Sequence, residues 1–385
     1  MRRKKKLFAI LLSTCCFIIL LGGCTSHSTH HTKNSIRHSA IYQTKPYDYA
    51  ILCNQYLTEL GTNDINRDLE NISEEGNTHD KAQNYIVSEL KKAGYVDSRI
   101  NLQKFKKDGY QGTNIVVNIN GKSSKKEIIC GAHYDGDGCG DNSSGVALLL
   151  GNAVGMIHMT PKYDVVLIFF DGEELGELGS NAYLNSMSKQ EIKATEYMIN
   201  IDSVAFGDYC NLYGGESNVF GKVTKTKAYT LSMQKAAAFG MSTYTTADLD
   251  GYYKTHNKTG PTIEENAIYT NPWTKSNPSP KNFNYISPST GDWGDHAPFA
   301  DAHINYVYME ATNWYAKGDN GSNAYTGYFD TNETQLGDHG MFMNTKYDTL
   351  NNLNSYFPGR ALAHFHIFSP LLTSLLMNPD GVAPQ

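Results

Sequence analysis

Two kinds of hydrophobic pattern alternate along this chain. In residues 78–93 apolar side chains recur every three or four positions and Gly94 follows, which predicts an amphipathic helix with a defined end. Residues 163–170 are almost continuously apolar, which predicts a buried strand. Alternation of the two patterns favours a single α/β domain in which helices flank a central, mostly parallel mixed β-sheet. The further predicted strands are 113–119, 126–132, 196–201 and 304–310, and the further helices are 143–154, 179–187, 222–239 and 358–377.

The N-terminal segment has the layout of a secretory signal. Basic residues at 2–6 precede an apolar run over 7–21, which is shorter than the roughly 20 residues that a membrane-spanning helix needs. The run ends in Leu21-Gly22-Gly23-Cys24, which resembles the cleavage site of a bacterial lipoprotein. We therefore expect a signal peptide over residues 1–23 and a lipid anchor on Cys24 that holds the protein on the outer face of the cell membrane. An ordinary signal peptide that contains cysteines is the alternative.

Charge and composition narrow the possible partners. Residues 1–23 carry five basic and no acidic residues, so the formal charge of −6 becomes −11 without them. An acidic surface repels phosphate backbones, which excludes nucleic acid as an expected partner. Residues 24–46 are polar and rich in histidine, which predicts a flexible tether, with a metal-scavenging tract as the alternative. Residues 47–385 have the composition of one globular domain, and segments 250–295 and 315–340 predict long surface loops.

Three apolar runs each end in side chains that can bind a metal. His133 follows the first run, the pair Glu173-Glu174 follows the second, and Asp202 follows the third. Because the carboxyl ends of parallel strands meet at one edge of a sheet, we expect these side chains to lie together. Neighbouring residues at a strand end point in different directions, so one glutamate can bind metal while the other accepts a proton.

Two further carboxylates accompany this set. Asp141 begins a glycine-flanked turn before a predicted helix, where its two oxygens can bridge two metal ions about 3.5–4 Å apart. Asp135 lies two residues after His133 and can accept the N–H of the imidazole nitrogen that does not bind metal. Cys130 and Cys139 flank the same histidine and either pair across a short loop or remain separate thiols. The residues thus predict a two-metal hydrolytic site.

This pattern resembles the zinc aminopeptidases and carboxypeptidases of metallopeptidase family 28, including secreted bacterial leucine aminopeptidases. The similarity extends over about residues 55–375. It implies a zinc-dependent exopeptidase fold and a substrate peptide with a free N-terminus. It also implies a cis peptide bond between Asp141 and Asn142. The roles it implies are zinc ligation by His133 and Asp202, bridging of two zinc ions by Asp141, ligation of the second zinc by Glu174 with a late histidine, and general-base catalysis by Glu173.

One family position differs in this chain. The late histidine of the family is replaced by Asn344, whose amide oxygen is a weak ligand for zinc. Three alternatives follow: Asn344 binds through its oxygen, His339 takes its place, or the second zinc site is weak or empty. The segment Gly294-Asp295-His296 also resembles a family motif, so His296 either contacts substrate or has no metal-related role.

We expect retained aminopeptidase activity because Glu173, which only the chemistry requires, is present. A catalytically inactive lipoprotein that binds peptides or zinc is one alternative. A glutaminyl-cyclase-like enzyme with a single zinc is the other, although the presence of His133 and Asp202 favours a hydrolase.

Overall fold

A mixed β-sheet between two layers of helices forms the centre of the molecule. The computed structural model describes residues 45–62, 80–107, 109–218, 220, 222–256, 261–274, 286–315, 342–343 and 345–382. The strands in these ranges are β1 (Ile100–Lys107), β2 (Tyr110–Ile119), β3 (Ser123–His133), β4 (Tyr163–Phe170), β5 (Thr195–Ile201), β6 (Tyr209–Tyr213), β7 (Glu216–Ser217), β8 (Val223–Thr224), β9 (Ser242–Thr243), β10 (Ala267–Ile268) and β11 (Tyr306–Thr312). The α-helices are α1 (Ala50–Thr62), α2 (Asp80–Ala93), α3 (Ser143–Gly155), α4 (Leu178–Ser186), α5 (Lys189–Ala194), α6 (Lys227–Ala238), α7 (Thr246–Thr255), α8 (Ala297–Asp301), α9 (Leu350–Tyr356) and α10 (Arg360–Met377).

Seven strands form the main sheet in the order β1-β2-β4-β3-β5-β11-β6. The central strands β4, β3, β5 and β11 run parallel to one another, while β1, β2 and β6 join the sheet in antiparallel fashion. The mixed α/β fold class predicted from the hydrophobic pattern is therefore confirmed. Strand β1 escaped prediction because it is an edge strand whose side chains are mostly exposed, so its apolar content is low.

Strand β3 shows how the sheet divides the core. Its successive residues Ile129 and Cys130 are both fully buried but belong to hydrophobic clusters on opposite faces. On one face α1, α3 and α10 pack together, and α3 is buried nearly all round, which its apolar sequence requires. Residues of α4, α5 and α8 cover the other face. Burial on both faces makes β3 a rigid support for the residue at its end, His133.

The predicted element boundaries agree with the structure in the centre of the chain and differ at its edges. The predicted helix over 222–239 begins only at Lys227, because residues 223–224 pair with 216–217 as a short hairpin. The predicted loop over 250–295 contains the end of α7 and strand β10. Nearly all of the predicted loop over 315–340 lies outside the described residues. Cys130 and Cys139 are both buried, and they do not form a disulfide bond with each other.

From residue 45 onward the described residues belong to one compact unit. Within the described ranges, none of the helices combines the length and the apolar character that crossing a bilayer would require. Asn344, His339 and Cys24, with the whole predicted signal and the tether up to residue 44, lie outside the described residues.

His364 on α10 predicts an acid-dependent loss of stability. Its Nδ1–H donates to the carbonyl oxygen of Val204 at 2.9 Å, and burial, helped by the nearby charge of Arg360, lowers the pKa of His364 to about 4. His364 therefore takes up a proton below about pH 6.5 in the unfolded chain, but only below about pH 4 in the folded chain. Stability should fall by about 3 kcal/mol as the pH falls through this window.

The variant His364→Asn keeps a donor for Val204 but cannot titrate in this range. Urea unfolding of the chelator-treated protein between pH 7 and pH 4 should show a smaller loss of stability for this variant than for the wild type. The exposed His158→Asn variant controls for the substitution itself. Equal pH dependence in all three proteins would show that His364 does not contribute.

Candidate metal centre

The carboxyl ends of three parallel strands bring the predicted side chains together. His133 is the last residue of β3 and pairs in register with Phe170 at the end of β4. Glu173 and Glu174 follow β4 in a tight turn, and Asp202 follows β5 directly. The structure places all four at this edge with Asp141, as the hydrophobic pattern predicts.

The ring of His133 lies at the centre of the cluster and is almost fully buried. Its Nε2 atom lies 3.2 Å from Asp141 Oδ1, 3.4 Å from Asp202 Oδ1 and 3.9 Å from Glu173 Oε2. One imidazole nitrogen can donate to only one of these oxygens. Asp141 Oδ1 is buried and has no well-formed hydrogen bond among the described residues. Buried carboxylates that share one neighbouring nitrogen in this way repel one another unless a cation or protons lie between them.

Asp135 supports both sides of the cluster. Its Oδ1 atom lies 3.4 Å from His133 Nδ1 and accepts the backbone N–H of Glu173 at 3.2 Å. Its Oδ2 atom accepts the backbone N–H of Glu174 at 3.2 Å. One carboxylate thus lies beside the imidazole ring and fixes the peptide that carries the two glutamates. The arrangement leaves Nε2 of His133 directed toward the other carboxylates.

Asn142 connects the Asp141 turn to the end of β5, a role that the sequence did not reveal. The bond between Asp141 and Asn142 is a cis peptide, as the family resemblance implied. Asn142 Oδ1 accepts the backbone N–H groups of Gly145 at 2.9 Å and Ser203 at 3.1 Å, and its Nδ2 donates to Ile201 at 3.0 Å. The same side chain therefore caps α3 and fixes the backbone on both sides of Asp202.

Tyr308 is a second residue that the sequence did not identify. Its hydroxyl group donates to Asp202 Oδ2 at 2.9 Å, and Ser203 Oγ donates to Asp202 Oδ1 at 3.2 Å. Tyr308 lies in the middle of β11, a buried apolar run in which a tyrosine resembles any other core residue. Its hydroxyl group reaches Asp202 because β11 is the parallel neighbour of β5 in the sheet.

Electrostatics show how strongly the cluster favours positive charge. Burial by itself lowers the pKa of His133, but the charges of Glu173 and Asp202 raise it well above its ordinary range. Burial raises the pKa of Glu174 to about 7 and the charge of Asp141 adds to that rise. The pKa of Glu173 is also raised, chiefly by burial. The metal-free cluster therefore holds protons that a cation would displace.

His296 and Asp295 lie in the buried interior next to the cluster and not at its solvent-exposed edge. The Nε2–H of His296 donates to the carbonyl of Gly291 at 3.0 Å, and its ring packs on Tyr306 and Tyr308. His296 is 1% exposed, and burial lowers its pKa to about 4. Asp295 is fully buried, and its charge contributes to the raised pKa of Glu173. A substrate contact by His296 stays a prediction, and this placement instead supports Asp202 through Tyr308.

Comparison with known proteins relates this arrangement to one family. Residues 114–355 match the model of Peptidase family M28. Aminopeptidase YwaD of Bacillus subtilis is 34% identical over 107 residues, which cover 25% of this chain and 24% of that protein. The chain matches only about a quarter of the length of such relatives.

Solved structures show the same fold at low sequence identity. A glutaminyl cyclase from an Acidobacteriales bacterium superimposes with a TM-score of 0.52 at 16% identity, covering 89% of this chain and 99% of that one. A Zn-dependent exopeptidase from Parabacteroides distasonis gives a TM-score of 0.51 at 16% identity, covering 86% and 99%. This chain and the two solved structures therefore share the arrangement of the sheet and its flanking helices.

The crowding of carboxylates around His133 predicts that a divalent cation stabilises the folded protein. Zinc at 100 times its dissociation constant should add about 2.7 kcal/mol to the free energy of unfolding. Differential scanning calorimetry of chelator-treated protein, with and without zinc, measures this as a rise in melting temperature. The variant Asp202→Asn should lose most of the rise, whereas Asp380→Asn, a partly exposed carboxylate paired with Lys162, should keep it. An equal rise in both variants would place the bound zinc elsewhere.

Proposed function

We propose that this chain, which belongs to peptidase family M28, is a zinc-dependent aminopeptidase that acts outside the cytoplasm. The observation that carries the proposal is the placement of His133, Asp141 and Asp202, whose ligand atoms lie within 4.8 Å of one another at the end of the sheet. A second set with the same spacing joins His133 to Glu173 and Glu174. Family membership supports the peptidase class, and the site chemistry supports hydrolysis.

Zinc fits the donor atoms that are present. Imidazole nitrogen and carboxylate oxygen are ordinary zinc ligands, and donors 2.0–2.1 Å from a tetrahedral ion lie about 3.3 Å from each other. The separations of 3.2 Å and 3.4 Å from His133 Nε2 to Asp141 and Asp202 agree with that value. The contact between His133 Nδ1 and Asp135 is the support that a zinc-binding imidazole usually has. We therefore assign the first zinc to His133, Asp141 and Asp202.

A second zinc would be held by Asp141 and Glu174 with one further ligand. Burial raises the pKa of Glu174 to about 7, so a cation would compete with a proton for its carboxylate near neutral pH. Asn344 or His339 would complete this set, and both lie outside the described residues. A second site that is weaker than the first is the expectation that follows from an amide ligand.

Glu173 is the residue proposed to move protons. Zinc in the site would supply the Lewis acidity that lets water lose a proton near neutral pH and that polarises the scissile carbonyl. The Glu173 carboxylate accepts that proton as the water attacks, and it then gives the proton to the nitrogen of the leaving amine. Its side chain is 13% exposed, so it is reachable from the mouth of the site. Asp135 holds the Glu173 backbone and thereby its distance from His133.

The excess of negative charge also suggests which end of a peptide is held. A free α-ammonium group placed among Glu174, Asp141 and Glu173 would be attracted, whereas a C-terminal carboxylate would be repelled. This favours cleavage at the N-terminus. The relative named Aminopeptidase YwaD is consistent with that choice.

The cell location is a separate part of the proposal. The signal-like residues 1–23 and Cys24 support export followed by lipid attachment, with residues 24–46 as a tether and residues 47–385 as the enzyme. This would keep the active centre on the outer face of the cell membrane, where peptides are the substrates.

A panel of substrates separates this proposal from its rivals. An aminopeptidase should release p-nitroaniline from aminoacyl-p-nitroanilides and fail when the substrate amine is acetylated. A glutaminyl-cyclase-like enzyme should instead release ammonia from a peptide with N-terminal glutamine. This rival is included because the chain shares its fold with a glutaminyl cyclase. Zinc or peptide binding without any product would support the inactive binding protein and contradict the proposed activity.

Glu173→Gln should reduce kcat by about 10²- to 10⁴-fold, because the amide cannot accept the proton. Zinc content, measured by mass spectrometry of the dialysed protein, should stay at the wild-type value. Glu127→Gln is the matched control. Glu127 lies on β3, toward the end opposite His133, and its carboxylate accepts a hydrogen bond from Thr195 at 2.9 Å. Activity of Glu173→Gln equal to that of Glu127→Gln would rule out the role given to Glu173.

Cys24→Ala should abolish lipid attachment and release the protein from the membrane fraction. Labelling of expressing cells with an alkyne analogue of palmitate measures attachment directly. Cys16→Ala, which changes a cysteine inside the apolar run, should keep the label. Label on neither the wild type nor the Cys16→Ala protein would mean that the chain is not a lipoprotein.

A further inference from the structure

The carboxylate of Asp348 accepts hydrogen bonds from the backbone of the turn that carries Asp141. Asp348 Oδ1 accepts the backbone N–H of Gly140 at 2.5 Å, and its Oδ2 accepts the backbone N–H of Asp141 at 2.9 Å. The Asp348 side chain is almost fully buried. Hydrogen bonds from two successive N–H groups to one carboxylate are charge-assisted and set the orientation of that peptide.

The contact is reinforced through the backbone on both sides. The N–H of Cys139 donates to the carbonyl of Asp348 at 3.2 Å, and the N–H of Asp348 donates to Thr345 at 3.1 Å. The turn is also closed on itself, because Ser144 Oγ donates to the Gly140 carbonyl at 2.6 Å. The bond from the N–H of Asp348 to Thr345 lies outside the turn and thus helps to hold Asp348 in place.

Gly138 makes this approach possible. A Cβ atom added at Gly138 would lie 2.2 Å from Asp348 Oδ2, which no real contact allows. The absence of a side chain at this position thus lets the carboxylate reach the two N–H groups. A methyl group there would clash with the carboxylate and also, at 2.6 Å, with the backbone oxygen of Asp141.

We propose that Asp348 is a positioning residue that sets the direction of the Asp141 carboxylate and thereby the zinc affinity of the centre. The inference rests on the zinc site proposed above and adds a residue more than 200 positions away in sequence. In this proposal Asp348 acts through the peptide N–H groups of Gly140 and Asp141.

The test is the zinc affinity of the full chain, measured by competition with a chromophoric chelator. In Asp348→Asn the amide NH₂ faces one of the two N–H donors, so the turn loses a hydrogen bond and rotates. Loss of such a support typically weakens metal binding 10- to 100-fold, and we expect a loss of this size. The absorption spectrum of the cobalt-substituted protein should shift as well, because the ligand geometry changes.

Asp208→Asn is the matched control for a purely structural effect. Asp208 is a buried carboxylate that is held by Arg360 at 3.1 Å and by Asn313 at 2.6 Å. Its variant should lose stability but retain zinc affinity and the cobalt spectrum. All proteins are measured as folded material recovered from gel filtration, so that lower stability by itself does not lower the affinity.

The outcomes separate the two proposals. If the wild type binds no zinc, the proposed function fails; if Asp348→Asn binds zinc as tightly as the wild type, only the role of Asp348 is overturned. Where Asp348→Asn does not fold, Asp348→Glu, which keeps the charge but moves the carboxylate away from the two N–H groups, takes its place and should show the same loss of affinity. If neither variant folds while Asp208→Asn does, Asp348 is a determinant of folding and the positioning role is rejected.

Discussion

The structure depends on the confinement of several carboxylates within hydrogen-bonding distance of one buried imidazole. Mutual repulsion of buried charges would open this edge of the sheet unless positive charge or protons lay between them. His133 supplies the centre, and its ring nitrogen faces three carboxylate oxygens within 3.9 Å. A cation at this point would offset the repulsion among the carboxylates and cross-link the ends of three strands.

Backbone N–H groups from the surrounding turns hold the carboxylates in place before any cation arrives. Asp135 takes two such groups from the glutamate turn, and Asp348 takes two from the Asp141 turn. Asn142 links the same turn to the end of β5. Because these bonds are directional and join separate segments of the chain, the protein itself arranges the ligand atoms, which need little rearrangement on binding. Pre-arrangement of this kind is what allows a short turn to present a charged group with fixed geometry.

Much of this site follows from sequence, because residues at the ends of apolar runs must meet when the strands are parallel. His133 and Asp202 were located in this way, and the turn with Asp141 followed from its glycines. Tyr308 could not be located, since it reaches the site from a distant strand and nothing in its local pattern differs from an ordinary core residue. The hydrogen bonds of Asp348 to the Asp141 turn could not be foreseen either, because they join segments more than 200 positions apart. The same limit applies to the edge strand β1, whose exposed lysines mask its pairing with β2.

The family resemblance implies that Asn344 stands where relatives have a zinc-binding histidine, and such a replacement would affect donor strength but not charge. Among the described residues, six carboxyl groups interact with His133, namely Asp135, Asp141, Glu173, Glu174, Asp202 and Asp295. One divalent ion balances two of them when they are ionised, so the remainder still favours a second cation or bound protons. Imidazole and amide are both neutral ligands, so the replacement leaves this demand unchanged and weakens only one bond to the ion. A second metal should therefore compete with protons for the site, and its occupancy should rise with pH as Glu174 ionises.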